Sequence, residues 1–150
     1  MGGIEEEKLD LIYIKEQTTK VFEKHPEIMI AYLYGSIVQK RTHKYSDIDI
    51  GIVLSPKIER DPLYSNEIQI ELEEILNQIT NRIIDVRVLN DSSPRFLNQA
   101  VYKGFLIYCA DEDFKNEYEL QVLHDYFDFK PILDMFENNY LKLNLGEKSE

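Results

Sequence analysis

The chain has 150 residues, 43% of them hydrophobic, which predicts one globular domain over residues 1–150. Its 28 acidic and 17 basic residues give a net charge of −11, and because cations that neutralise phosphates supply most nucleic-acid affinity, we expect no direct nucleic-acid binding. The single Cys109 excludes an internal disulfide, no apolar run reaches the roughly 18 residues of a membrane span, and the acidic start is unlike a secretory signal, so we expect a cytoplasmic protein without membrane contact.

The first part of the chain predicts a helix followed by a buried strand. Residues 5–24 have apolar side chains at helical spacing, and the helix is expected to end just before Pro26. The short apolar run 28–34, IMIAYLY, is typical of a central strand that is covered on both faces. Gly35 and Ser36 then end this strand.

A second strand and a second helix follow a polar stretch. In DIDIGIVL, residues 47–54, apolar residues alternate, so that Asp47 and Asp49 share the face opposite the isoleucines. Asp61 followed by proline predicts a helix cap and a first turn. We therefore predict a helix over about 62–80.

The remaining elements are two strands and two helices. RIIDVRVL, residues 82–89, predicts a third strand with Asp85 opposite its apolar face. A Ser-Pro pair begins a short helix that Gly104 would stop, and FLIYC, residues 105–109, predicts a fourth strand. A helical segment follows over about 113–145.

Together these elements predict an α+β fold, a mixed sheet of about four strands flanked by helices. Pro131 makes either a kink or a new first turn in the last helical segment. The aromatic residues of 118–136 have roughly helical spacing, so most are expected in the core, and the remainder could form a partner surface.

The paired acids of the second strand are the first chemical feature of the sequence. Residues two apart on a strand point the same way, with Cα atoms about 7 Å apart, so Asp47 and Asp49 can bind one ion. Without a cation they would repel each other, and Mg²⁺ prefers such oxygen ligands. If its strand is a neighbour, Asp85 supplies a third carboxylate, as in a two-metal phosphoryl-transfer site. An Asp-x-Asp pair is, however, also common in loops and on solvated strand faces.

The Gly-Ser pair is the second feature. A Gly-Ser turn that opens a helix presents backbone N–H groups and a hydroxyl suited to phosphate, although an ordinary turn has the same residues. The combination of Gly35-Ser36, Asp47-x-Asp49 and the later Asp85 resembles the signature of the DNA polymerase β-like nucleotidyltransferases. With its small size and the tail YFDFKPILDMF, the chain looks like the minimal nucleotidyltransferases, the MntA-type antitoxins of HEPN/MNT toxin-antitoxin systems.

This resemblance implies an NTP-dependent transfer of a nucleoside monophosphate. In the family the Gly-Ser turn holds the triphosphate, a role that falls to Gly35 and Ser36. The first two acids bind the metals, which implies Asp47 and Asp49, and the third, Asp85, helps to bind the catalytic metal and activates the acceptor hydroxyl. The implied cofactors are Mg²⁺ and ATP. Because MntA-like proteins are understood to add AMP to a tyrosine of a HEPN ribonuclease, the implied partner is a HEPN-domain toxin encoded by the adjacent gene.

The sequence departs from the family in the loop after the Gly-Ser pair. The family usually continues Gly-Ser-x-Ala-Arg-Gly, whereas this chain has Gln39 and Lys40 at the last two positions. Lys40 and Arg41, together with Lys44, are candidates for replacement cations near the triphosphate.

Two other functions remain open at this stage. The altered loop is compatible with a weakly catalytic antitoxin that neutralises its partner by binding alone, in which case the acidic charge would help it to cover a basic face. A small-molecule nucleotidyltransferase that modifies an antibiotic is the third possibility. Such enzymes generally carry an additional substrate-binding domain, for which 150 residues leave little room.

Overall fold

A computed structural model describes residues 2–35, 47–58 and 61–145 of the chain. The described residues form four helices and four strands, which confirms the predicted α+β class. No helix in these ranges is long and apolar enough to cross a membrane. In chain order the elements are α1 (Gly2–Phe22), β1 (Ile28–Tyr34), β2 (Ile48–Leu54), α2 (Pro62–Thr80), β3 (Ile84–Val88), α3 (Pro94–Tyr102), β4 (Phe105–Cys109) and α4 (Glu112–Leu145).

The four strands form one mixed sheet in the order β3-β2-β1-β4. The central strand β1 is antiparallel to both β2 and β4. Strands β2 and β3 are parallel and are connected through α2, as a parallel pair requires a crossover. The expected mixed sheet is therefore confirmed, and its order makes the strands of Asp49 and Asp85 neighbours.

Helices cover both faces of the sheet, and the alternation of β2 decides which side chains each face receives. Ile48, Ile50, Ile52 and Leu54 lie in one apolar cluster with buried residues of α1 and α2. The opposite face forms a second cluster with buried residues of α3 and α4, and β2 contributes Val53 to it. Asp49 therefore points to the α3/α4 side of the sheet.

Two helices begin at the caps that the sequence predicts. The Asp61 side chain accepts a hydrogen bond from the backbone N–H of Tyr64 at 2.7 Å, and the Ser93 side chain accepts one from Phe96 at 3.2 Å. A proline follows each cap in the first turn, where its missing N–H has no intrahelical partner to lose. Pro131 lies inside α4, so it does not begin a new helix.

The outer edge of β3 is covered by side chains of α2. The N–H groups of alternate β3 residues point away from β2, and each donates to a side chain of α2. The three acceptor residues are spaced one helical turn apart along α2. The pairs are Ile84 N–H to Asn77 at 2.7 Å, Val86 N–H to Glu73 at 2.9 Å and Val88 N–H to Gln69 at 2.9 Å. These bonds satisfy an otherwise open sheet edge and fix β3, and with it Asp85, against α2.

Candidate active site

Asp49 and Asp85 lie directly opposite each other on the parallel strands β2 and β3. Neighbouring strands are about 4.8 Å apart, and both residues point to the face opposite the buried Ile50 and Ile84. Asp49 is half-buried and Asp85 is exposed. The sheet register therefore brings two carboxyl groups side by side at one end of the α3/α4 face.

The charges around Asp49 oppose its ionisation. Burial raises the pKa of the Asp49 carboxyl, and the nearby charges of Asp85 and Asp47 raise it further. The guanidinium of Arg87 acts in the opposite direction and lowers this pKa. The net shift of the Asp49 pKa is upward, and burial is its largest cause.

The backbone conformation at position 35 explains why a glycine follows β1. Its φ is +85°, a left-handed conformation that favours glycine. A Cβ atom at this position would overlap the carboxyl group of Asp49, so the backbone approaches that side chain as closely as it can. The Gly35 backbone therefore forms one wall beside the paired carboxyl groups.

An aromatic residue and an arginine border the acidic pair on the same face. The ring of Phe96, in the first turns of α3, lies edge-on to the ring of Tyr34 with 5.4 Å between centroids. The guanidinium carbon of Arg87 lies 4.6 Å from the centroid of the Phe96 ring. Burial raises the pKa of the Tyr34 hydroxyl, and Asp49 adds to this effect. The sequence did not single out Arg87 and Phe96, although Arg87 lies two residues after Asp85 and its side chain therefore leaves the same face of β3.

The structure brings together some of the residues predicted from the sequence. Gly35, Asp49 and Asp85 are adjacent, whereas Asp47 is exposed just before β2 begins and acts on Asp49 through its charge. Within the described ranges no group of three His, Cys, Asp or Glu side chains is arranged to hold a metal ion. Ser36, Lys40 and Arg41 lie outside the described residues.

The donor chemistry of the pair nevertheless fits a hard divalent cation. Asp49 and Asp85 present carboxylate oxygens, the ligands that Mg²⁺ prefers. Their mutual repulsion, which adds to the effect of burial on the pKa of Asp49, would be relieved by such an ion. Asp49 and Asp85 are thus the residues that would hold the cation, with Asp47 close enough to contribute its charge.

The chain belongs to the nucleotidyltransferase family of polymerase beta. The family model described as "Polymerase beta, Nucleotidyltransferase" matches residues 16–113. This range includes all four strands and the three acids of the candidate site. The resemblance inferred from the Gly-Ser pair and the three acids is therefore confirmed, and the chain is a nucleotidyltransferase domain. A comparison with curated proteins finds no significant match.

Solved structures of toxin-antitoxin complexes contain chains of the same fold. A toxin-antitoxin crystal structure with AMP-PNP has a chain with a TM-score of 0.69 and 19% identity, and the match covers 85% of this chain and 98% of that one. A chain in the structure of a tri-AMPylated Shewanella oneidensis HEPN toxin in complex with MNT antitoxin has a TM-score of 0.64 at 17% identity, and the match covers 90% of this chain and 98% of that one. The MntA-HepT toxin-antitoxin structure gives 0.65 at 16% identity, covering 85% and 97%. At these identities the likeness shows a shared fold.

Proposed function

We propose that the protein transfers AMP from ATP to a tyrosine hydroxyl of a HEPN-domain toxin and thereby acts as its antitoxin. The observation that carries this proposal is the register of β2 and β3, which pairs Asp49 with Asp85 beside the backbone of Gly35. The family match and the fold shared with toxin-antitoxin structures support it.

The residues of the pair have distinct tasks in this reaction. The acceptor hydroxyl oxygen attacks the α-phosphorus of ATP, the bond from that phosphorus to the bridging β-phosphate oxygen breaks, and pyrophosphate leaves. Asp85, an exposed side chain on the edge strand β3, accepts the hydroxyl proton, as general-base catalysis requires. Asp49 and Asp85 would also hold Mg²⁺, which would supply stabilisation of the charge on the attacking and leaving oxygens.

In this proposal the nucleotide binds on the Gly35 side of Asp49, away from Asp85. Gly35, with Ser36, holds the triphosphate, and Lys40 and Arg41 supply cations to it. Because Gly35 has no Cβ, its backbone can lie directly against the Asp49 carboxyl group, beside the proposed cation site. The structural neighbour with AMP-PNP and the AMPylated HEPN toxin make ATP the donor to test first.

Neutralisation by binding alone is a second candidate, and the surface of α4 favours it. The outer side of this helix carries large apolar side chains that no described residue covers: Leu120, Phe127, Met135 and Phe136 are all at least 60% exposed. Several large apolar side chains exposed on one helix are typical of a partner contact. A complex formed through α4 would neutralise a toxin without any transfer of AMP.

The experiment incubates the protein with ATP labelled at the α-phosphate, Mg²⁺ and the HEPN-domain toxin. Asp85→Asn removes the base and one cation ligand, and Asp113→Asn, on the exposed first turn of α4, is the matched control. We expect label on the toxin with the wild type and Asp113→Asn, and none with Asp85→Asn.

Two other results would decide against adenylyl transfer. Full neutralisation of the toxin by Asp85→Asn would support the binding candidate. An absence of label with the folded wild-type protein would contradict the proposed reaction itself. The organisation of residues 1–150 as one domain and the cytoplasmic location stay predictions.

A further inference from the structure

Arg87 lies beside the acidic pair without forming an ion pair to it. It follows Asp85 by two residues on β3, so both side chains leave the same face with Cα atoms about 7 Å apart. In the register of β2 and β3 it is paired with Gly51, two residues along the strands from the Asp49–Asp85 pair. Among the described residues, its guanidinium has no salt bridge within 4 Å and instead lies over the Phe96 ring. No acidic side chain of the described residues therefore forms an ion pair with its N–H donors.

Phe96 holds this guanidinium in place. The backbone N–H of Phe96 is bonded to the Ser93 cap, and its ring packs edge-on against Tyr34 and within the α3/α4 cluster. The packed ring presents one face to Arg87, and this contact favours one orientation of a long, exposed side chain. The arginine is thus oriented before any substrate arrives, which lowers the entropic loss on binding.

The strand order places Arg87 on the acceptor side of the site. Gly35 ends β1, Asp49 lies on β2, and Asp85 and Arg87 lie on the edge strand β3. Two strand spacings, roughly 10 Å, separate β3 from the strand that ends at the proposed triphosphate cradle. An arginine on β3 is therefore closer to the group that attacks ATP than to its leaving pyrophosphate.

We propose that Arg87, held over Phe96, donates a hydrogen bond to the phenolic oxygen of the acceptor tyrosine and is a catalytic residue on the acceptor side. This inference rests on the proposed adenylyl transfer. As the O–H proton passes to Asp85, an electron pair of the oxygen forms the new bond to the α-phosphorus, and the bond to the β-phosphate oxygen breaks with its pair leaving on pyrophosphate. The guanidinium keeps its own protons and stabilises the charge that develops on the attacking oxygen.

The test measures transfer of labelled AMP to the HEPN-domain toxin while the toxin concentration is varied. The variants are Arg87→Ala, Arg87→Lys and the control Arg95→Ala, which removes an exposed arginine next to Phe96 in sequence. We expect kcat/KM for the toxin to fall about tenfold to hundredfold in Arg87→Ala, to recover in part in Arg87→Lys, and to stay unchanged in Arg95→Ala. The Kd for an ATP analogue with a methylene group between the α- and β-phosphates, measured by calorimetry, is expected to stay unchanged in all three.

Each other outcome overturns a definite part of the inference. A loss of analogue affinity in Arg87→Ala equal to the loss in kcat/KM would place Arg87 on the nucleotide instead of the acceptor. Unchanged kcat/KM for the toxin in a folded Arg87→Ala variant would remove Arg87 from the reaction. Phe96→Leu keeps an apolar side chain but removes the ring face, and it should lower the same parameter less than Arg87→Ala does. If the wild type fails to label the toxin, the proposed function fails, and the role of Arg87 fails with it.

Discussion

Replacing Asp49 with asparagine is expected to stabilise the folded protein and to abolish its nucleotidyltransferase activity. The pKa of Asp49 is raised by burial and by the charges of Asp85 and Asp47, so its ionised form opposes folding at neutral pH. Asparagine keeps the size of the side chain without the charge. The same substitution removes one of the two carboxylates proposed to hold the cation, so activity and stability should change in opposite directions.

Burial is the largest cause of the raised pKa of Asp49, and the part of the effect that the charge of Asp85 adds follows from the register of the two strands. Carboxylates on directly paired residues lie about 5 Å apart, and two like charges at that distance repel by about 1 to 2 kcal/mol in a medium with an effective dielectric constant of roughly 40 to 80. Because Asp85 is exposed, solvent screening favours the lower value, about 1 kcal/mol. For a chain of this length such a gain corresponds to a Tm increase of roughly 2–4 °C.

Urea unfolding in metal-free buffer, followed by circular dichroism, measures the effect in Asp49→Asn, Asp85→Asn and the double variant. Once either charge is gone the repulsion is gone, so the combined gain should be about 1 kcal/mol less than the sum of the single gains. The gain of Asp49→Asn should be present above the raised pKa of Asp49 and should vanish as the pH falls through it, because the wild-type carboxyl then becomes neutral. Strictly additive gains, or a destabilised Asp49→Asn at neutral pH, would refute the reasoning.

Three further substitutions test other parts of the structure. Gly35→Ala should lower the free energy of unfolding by about 1–2 kcal/mol because of the left-handed conformation, and it should also displace the Asp49 carboxyl. Calorimetric melting checks the loss of stability, and transfer of labelled AMP checks the displacement. Wild-type stability together with wild-type transfer would contradict this prediction. Tyr118→Phe should be neutral or up to about 1 kcal/mol stabilising, because the buried Tyr118 hydroxyl has no hydrogen-bond partner among the described residues; a clear loss in urea unfolding would show that the hydroxyl has a partner. Glu73→Ala should cost about 1 kcal/mol and speed hydrogen exchange at Val86, whereas Glu73→Gln keeps the acceptor; equal exchange rates in both variants would argue against this edge contact.

The strands were the most predictable part of the fold. The runs 28–34 and 105–109 have the predicted bounds because each is a short apolar segment between breakers. The first helix ends at Phe22, two residues before the predicted bound. Its chain tightens into short turns there, with Lys24 N–H bonded to the carbonyl of Val21 and His25 N–H to that of Phe22. Periodicity carries no information on where such a turn begins.

The sequence named Asp49 and Asp85 as candidates, and the fold brings them side by side, but the sequence did not predict their arrangement. Alternation placed Asp47 and Asp49 on one face, yet only Asp49 lies within β2 and is half-buried, because the strand begins at Ile48. The pairing of Asp49 with Asp85 depends on the strand order, which the family resemblance implied and periodicity could not supply. The contact of Arg87 with Phe96 depends on how α3 crosses the sheet, and no local pattern encodes that crossing.

Binding of Mn²⁺ in place of Mg²⁺, followed by electron paramagnetic resonance, tests the central claim that Asp49 and Asp85 together bind the cation for nucleotidyl transfer. The account predicts that the wild type and Asp113→Asn bind the ion and that Asp49→Asn and Asp85→Asn each bind it much more weakly. Binding that is equally strong in Asp85→Asn and the wild type would contradict the claim, because the paired carboxylates would then not share the ion.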